Sequence, residues 1–199
     1  MKMLKKQFCT WSLSILLLLS ASIASAHEGV GMTGGLISGF LHPILGWDHV
    51  AAMVAVGLWG AFLGKPAIWV LPIVFPLVMA FGGALGVLGV PVPAVETGIA
   101  LSALVLGVMV AFAARPPLWV AAVIVGVFAV FHGHAHGTEL PAAANAITYS
   151  IGFVVGTGLL HLCGIGFGLL VYRPLGEVSV RVAGGAIALA GVGFLTGAL

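Results

Sequence analysis

The chain has 199 residues, a formal net charge of +2 and only 6% charged residues, whereas hydrophobic residues make up 61%. Soluble globular proteins are about 45–50% apolar, so this composition excludes a soluble enzyme and indicates an integral membrane protein. Because a spanning helix needs about 20 residues, six or seven spans with their loops would use most of the chain. We therefore expect no extramembrane domain. We expect the lipid bilayer as a partner and no nucleic-acid partner, because the small net charge depends on three N-terminal lysines.

The first 26 residues have the pattern of a secretory signal peptide. A basic start is followed by an apolar core around Leu13 to Leu19 and by the small residues Ala24-Ser25-Ala26. We predict cleavage after Ala26, so that 1–26 is a signal peptide and 27–199 is one transmembrane domain; the alternative is an uncleaved first span. A cleaved signal places the mature N-terminus in the periplasm and indicates a bacterial inner membrane.

Six hydrophobic runs follow, separated by Pro, Gly and charged residues. They cover 30–63, 67–90, 94–114, 118–137, 142–172 and 179–198. A straight helix over the first run would be about 51 Å long, against a hydrocarbon core of about 30 Å. Because proline disfavours helical geometry in the residue before it, we predict a break at His42-Pro43, with 30–41 as a short outer or re-entrant segment and 44–63 as the first span. The predicted fold is all-α: a polytopic membrane helix bundle of six transmembrane helices.

Basic residues give the orientation, because cytoplasmic loops of membrane proteins are enriched in Lys and Arg. With the mature N-terminus outside, six spans place every Lys and Arg after the signal peptide in a cytoplasmic loop, and the C-terminus becomes periplasmic. These residues are Lys65, Arg115, Arg173 and Arg181. The same ends carry the aromatic residues of a predicted interfacial belt: Trp59, Trp69, Trp119 and Tyr172.

Two histidine-rich segments lie at the edges of otherwise uncharged spans. The first runs from His42 to His49 (HPILGWDH) and the second from Phe131 to Glu139 (FHGHAHGTE). The first begins the predicted first full span and the second ends the fourth, so the predicted topology places both at the periplasmic edge of the membrane. Ionisable residues at such positions are expensive and are therefore functional candidates.

The spacing within these segments predicts a shared metal site. On a helix, His132 and His136 share a face and Glu139 returns to it, while His42 and His49 are seven apart with Asp48 adjacent. Imidazole with carboxylate suits nickel, cobalt, zinc, iron or copper(II). Manganese also remains possible as the bound ion, and we expect no prosthetic group. The predicted ligands are His42, Asp48, His49, His132, His136 and Glu139.

Four further residues have two interpretations each. His134 points away from His132 on a helix and is either an accessory ligand or an exposed side chain. His161, near the middle of the fifth span, is either a relay for the ion or a partner of a neighbouring helix. Glu96 is either part of the site or an acid favoured by a helix N-terminus. His27, with a free amine after cleavage, is either a metal-loading residue or a plain terminus.

Both segments resemble the motifs of the HupE/UreJ family of nickel/cobalt permeases. H-P-x-x-G-x-D-H is present as His42 to His49, and F-H-G-x-A-H-G-x-E as Phe131 to Glu139. The resemblance extends to the signal peptide, the length and the six-span layout. It implies secondary uptake of nickel or cobalt, with the motif histidines and acids binding the ion, and a functional link to hydrogenase or urease maturation.

The residues themselves also favour transport, driven by the membrane potential. The sequence has no G-x-x-x-x-G-K nucleotide-binding loop, and inward movement of a divalent cation gains about 4.6 kcal/mol per 100 mV. The main alternative is an intramembrane metal-dependent hydrolase, in which a histidine-bound metal activates water. A third possibility is a periplasm-facing metal sensor or chaperone, which would bind the ion without flux.

Overall fold

The computed structural model describes residues 32–140 and 145–199, and the predicted signal peptide lies outside them. All regular structure in these ranges is helical. There are seven α-helices and one 3₁₀ segment, Leu169–Tyr172, which continues α6: α1 (Met32–Leu45), α2 (Trp47–Leu63), α3 (Ala67–Val87), α4 (Val95–Ala111), α5 (Leu118–Thr138), α6 (Ala146–Gly168) and α7 (Gly176–Thr196). The all-α prediction is therefore confirmed for the described part of the chain.

Several of these helices are long and apolar enough to cross a membrane. Four qualify individually: α3, α5, α7 and α6 with its 3₁₀ extension; the bent pair α1 and α2 makes a fifth if it counts as one span. The remaining apolar helix, α4, is shorter, with 17 residues. Many outward side chains of the bundle are large and apolar, as contact with lipid requires.

The predicted break at His42-Pro43 is wrong, because Pro43 lies inside α1. The chain bends by 79° between α1 and α2, and the residue between them is Gly46, with extended backbone angles. Proline removes only one helical hydrogen bond, and packing of the Pro43 ring beside Gly156 of α6 keeps α1 intact. Glycine, which loses the most conformational freedom in a helix, ends α1 instead.

Glycines bring the helices into backbone contact, as small residues do in membrane proteins. A Cβ added to Gly152 of α6 would collide with the backbone of Leu36 in α1, and one added to Gly164 would collide with the backbone of Val54 in α2. Gly107 of α4 lies equally close to α7. The helix backbones therefore approach one another closely at these positions, and a larger residue there would push the helices apart.

The two ends of the bundle differ in charge. At one end, Arg181 donates to the carbonyl of Ala111, Trp59 donates to that of Ala114, and Arg115 lies over the ring of Phe62. The loops after α2, α4 and α6 therefore meet at this end, which we call the basic end; it carries all four described Lys and Arg residues: Lys65, Arg115, Arg173 and Arg181.

The aromatic belt at the basic end is smaller than predicted. Trp69, Trp119 and Tyr172 are exposed, as interfacial side chains should be, but Trp59 is completely buried. Trp59 lies on α2, the most buried helix of the bundle, and its indole N–H donates to the Ala114 carbonyl at 3.0 Å. Its role is therefore in helix packing and not in the belt.

Candidate metal-binding site

The two histidine motifs meet at the end of the bundle opposite the basic end, as the alternation of the helices predicts. Their six candidate residues come from three places: the last turn of α1, the first turn of α2 and the C-terminal end of α5 with the residue after it. In chain order they are His42, Asp48, His49, His132, His136 and Glu139.

The bend at Gly46 makes the first motif compact. Two residues seven apart on a straight helix are separated by about 10 Å along its axis. The ring centroids of His42 and His49 are instead only 6.3 Å apart, because the chain turns by 79° between them. Both imidazoles therefore face the same space above α5.

Five of the side chains form two overlapping groups of possible metal ligands. His49, His132 and His136 each offer a nitrogen, and these atoms lie within 4.8 Å of one another; His42, His136 and Glu139 meet the same limit. We call the first the inner group and the second the outer group. The inner group is buried, whereas the outer side chains of His42 and Glu139 are 31% and 53% exposed. His136 belongs to both groups.

Asp48 lies behind His49 and not within either group. One carboxylate oxygen accepts from the backbone N–H of His49 at 2.8 Å and lies 2.7 Å from Nδ1 of the same ring. This contact favours a proton on Nδ1, which leaves the lone pair of Nε2 free. Nε2 is buried and has no hydrogen-bond partner among the described residues. Asp48 thus holds His49 in a tautomer and orientation that would leave Nε2 available to a metal ion.

His132 is fixed by a residue of another helix. Its Nε2 lies 2.9 Å from the hydroxyl oxygen of Ser102 on α4, and that hydroxyl donates to the carbonyl of Ile99. Since the only hydroxyl proton is used, Ser102 accepts from Nε2–H. The lone pair of His132 is then on Nδ1, which is buried without a hydrogen-bond partner in the described structure.

His136 has no hydrogen-bond partner on either ring nitrogen within the described residues. Its ring contacts those of His42 and His49, with centroid distances of 4.7 and 4.6 Å, and packs on Phe153 at 4.2 Å. It also lines a cavity of about 210 Å³ between α3, α5 and α6, next to Tyr149. Buried polar atoms normally have partners, so these free nitrogens indicate a ligand-binding position.

The outer group has a carboxylate at the surface. Nε2 of His42 lies 3.4 Å from Oε2 of Glu139. The hydrogen bond from His42 is the main cause that lowers the pKa of Glu139 below its ordinary value of 4.5. The carboxylate is therefore ionised at neutral pH and presents a negative charge at the exposed side of the site, where a cation would arrive.

The glycines of the second motif place its histidines. Gly133 and Gly137 lie on the side of α5 that faces α3, where a Cβ on either would collide with the backbone of Met79 or Gly83. The two site histidines of α5 precede these glycines by one position each, so they project from the adjacent face of the helix, toward α2. The alternation of His and Gly thus serves both helix packing and the site.

The other four candidates lie outside both donor groups or outside the described residues. His134 is buried and its Nε2 donates to the carbonyl of Val90 at 2.8 Å, so of its two interpretations the exposed side chain is wrong. This hydrogen bond links α5 to the loop before α4. Glu96 lies exposed in the first turn of α4, His161 is buried deeper on α6, and His27 precedes the described residues.

Sequence reasoning missed the residues that support the site from other helices. Ser102 fixes His132, Tyr149 and Phe153 pack against the outer group, and Phe75 of α3 contacts His132 with a centroid distance of 5.4 Å. The sequence shows Ser102 only as a hydroxyl within an apolar span, which does not identify its partner. The aromatic residues have no signal either, because in such a span they are indistinguishable from lipid-facing ones.

Comparison with known proteins finds related sequences. Residues 15–194 match the family model described as "HupE / UreJ protein". The chain is 49% identical over 176 residues to "Protein HupE" of Rhizobium leguminosarum bv. viciae, an alignment that covers 88% of this chain and 92% of that protein. No solved structure matches.

Proposed function

Because the chain belongs to the HupE/UreJ family, we propose that it is a secondary uptake permease for a divalent transition metal ion, nickel or cobalt, in the bacterial inner membrane. In this proposal α4 also crosses the membrane, since its 17 residues are at the lower end of the range of about 17–25. Six spans then follow the signal peptide, and the mature N-terminus and the C-terminus are periplasmic.

The observation that carries the proposal is the sharing of His136 between an exposed and a buried donor group. An ion bound by His42, His136 and Glu139 can exchange the outer ligands for His49 and His132 without leaving His136. Successive ligand exchange of this kind moves an ion inward with no fully unliganded state, and a pathway needs sites that bind and release. A closed structural site would use one set of ligands.

The donor chemistry supports nickel or cobalt as substrate. The two groups contain imidazole nitrogens and one carboxylate, a combination that suits divalent first-row metals. Cys163, the only cysteine of the described residues, is exposed on α6 and joins neither group. The family, which is associated with nickel and cobalt transport, narrows the choice to these two ions and suggests the link to hydrogenase or urease maturation.

The charge asymmetry supports the direction. If the basic end is cytoplasmic, the outer group opens to the periplasm and a membrane potential that is negative inside pulls the cation through the bundle. The hydrolase alternative is not carried forward, because the family is associated with transport and no specific observation favours hydrolysis.

The test is metal accumulation by cells that express matched variants. His136→Ala removes a ligand from both groups and should abolish nickel or cobalt uptake. His134→Ala changes a residue on a different face of the same helix and breaks only the bond to Val90, so this variant should retain most of the uptake. The membrane levels of the variants are matched by immunoblot. Wild-type uptake by His136→Ala, or no accumulation caused by the unaltered protein, would refute the proposal.

A further inference from the structure

His161 lies deeper in the membrane than the inner group and is not explained by it. It is 2% exposed, and its Nε2 has no hydrogen-bond partner among the described residues. Measured along α6, it is about 22 Å from the first residue of that helix, Ala146. A buried imidazole with an unpaired nitrogen costs free energy in an apolar span. A structural role alone therefore does not explain why Nε2 lies there without a partner.

A second polar group lies beside it. Thr157 precedes His161 by four residues, so the two side chains share a face of α6 at a Cβ separation of about 6 Å. Thr157 is completely buried and its hydroxyl also has no hydrogen-bond partner in the described structure. Two neighbouring unpaired polar atoms, a nitrogen and an oxygen, thus face the interior of the bundle in the middle of the membrane.

The same face of α6 connects this pair to the upper site. Buried side chains occur at every fourth position: Tyr149, Phe153, Thr157 and His161. The first two pack against the outer group, where the Tyr149 ring lies 6.0 Å from that of His42. The stripe therefore runs from the exposed mouth of the site down to His161.

Phe75 of α3 connects the inner group with His161. Its ring centroid lies 5.4 Å from that of His132 and 5.5 Å from that of His161, so one aromatic side chain contacts both histidines. Phe75 is on a stretch of α3 between Pro72 and Pro76. Each proline removes a helical hydrogen bond, so the backbone that carries this ring is less constrained than the rest of the helix.

Pro76 also leaves an acceptor free beside His161. Because Pro76 has no N–H, the carbonyl of Pro72 has no helical donor, and His161 approaches this carbonyl. Since Nε2 is without a partner, the nitrogen that faces the carbonyl is Nδ1. A proton on Nδ1 can be donated to this carbonyl, and Nε2 then keeps a free lone pair.

We propose that Nε2 of His161 and the hydroxyl oxygen of Thr157 form a second, deeper station that receives the divalent metal ion from the inner group during transport. This inference rests on the proposed function. Both ligands are neutral, so the station binds more weakly than the upper groups beside Asp48 and Glu139. Weak binding suits a transit position, which must release the ion.

The test separates binding at the upper site from flux, using the purified full chain. Binding is measured from the visible absorption of Co2+ added to protein in detergent, and flux from Co2+ entry into proteoliposomes that contain a fluorescent chelator. His161→Asn retains an amide N–H for the Pro72 carbonyl but lacks a group at the Nε2 position, whereas the longer His161→Gln reaches that position. Thr157→Val removes the hydroxyl at constant shape and Thr157→Ser keeps it; Cys163→Ala, exposed on the same helix, is the control.

We expect His161→Asn to bind Co2+ with the wild-type spectrum and to lose at least about tenfold in flux, the lower end of the effect of disturbing a metal site. His161→Gln should recover part of the flux, Thr157→Val should lose it and Thr157→Ser should keep it. Wild-type flux in both His161→Asn and Thr157→Val would overturn the station. Loss of the Co2+ spectrum in His161→Asn would also overturn it, because His161 would then act through the upper site. Binding without flux in the unaltered protein would refute the proposed function and the station with it.

Discussion

Ser102 gives the sharpest test of the inner group, because it contacts His132 and is not itself a proposed ligand. In Ser102→Ala, the Nε2–H of His132 loses its acceptor at 2.9 Å in a fully buried position. An unsatisfied buried donor costs about 1–3 kcal/mol. The ring then no longer prefers the tautomer with a free Nδ1, and the metal must supply the energy to restore it.

The expected magnitude follows from these terms. Loss of a group that orients a metal-binding histidine typically costs about 10–100-fold in affinity, which agrees with 1.4 kcal/mol per tenfold change. We therefore expect Ser102→Ala to weaken Co2+ binding by about 10–100-fold. Titration of Co2+ into purified protein, followed by visible absorption, measures this directly.

Ser179→Ala is the matched control, because Ser179 is exposed on α7 at the basic end and donates to the carbonyl of Leu175. Its affinity should equal that of the unaltered protein. An affinity of Ser102→Ala within about twofold of the control, with the same thermal stability, would refute the assignment of the His132 tautomer, since twofold is only about 0.4 kcal/mol.

Three further predictions concern the first motif and the outer acid. In Gly46→Ala, the new Cβ would lie 3.0 Å from Oδ1 of Asp48 and 3.1 Å from Nδ1 of His49, while the extended backbone of Gly46 tolerates alanine; we expect weaker Co2+ binding without loss of thermal stability, and unchanged binding would contradict it. Asp48→Asn should lower Co2+ affinity by about 10–100-fold because His49 loses the carboxylate that fixes its tautomer, and calorimetric titration will show whether it does. Since the pKa of Glu139 is lowered in the folded protein by its hydrogen bond with His42, this contact stabilises the fold above the ordinary pKa of 4.5, and the stabilisation is lost as the pH falls through the folded value. Melting temperatures should therefore decrease less in acid for Glu139→Gln than for Glu177→Gln, and equal decreases would count against this contact.

The placement of both motifs at one end could be predicted because membrane topology is determined by local signals. Each hydrophobic run forms a helix, helices alternate in direction, and basic residues mark one end. Helical spacing likewise predicted that His132 and His136 share a face, and one nitrogen of each ring lies within 4.8 Å of the other in the inner group.

What could not be predicted depends on contacts between distant helices. Ser102 and His132 are thirty residues apart, and nothing local to Ser102 distinguishes it from a serine that bonds only within its own helix. The break was misplaced for a similar reason: Pro43 and Gly46 both disfavour a helix, and the packing of Pro43 beside Gly156 decided between them. His134 was misjudged because its partner, Val90, belongs to a loop whose path has no sequence signature.

The break at Gly46 also places two helix ends beside the site. The last carbonyls of α1 carry partial negative charge and the first amides of α2 carry partial positive charge. The carboxylate of Asp48 accepts a hydrogen bond from one of those amides, the N–H of His49. Its negative charge offsets the partial positive charge at the start of α2, which would otherwise repel a cation. The carbonyl end of α1 has His42, one of the candidate ligands, in its last turn. The local field of the broken helix therefore favours positive charge on the side of the outer group.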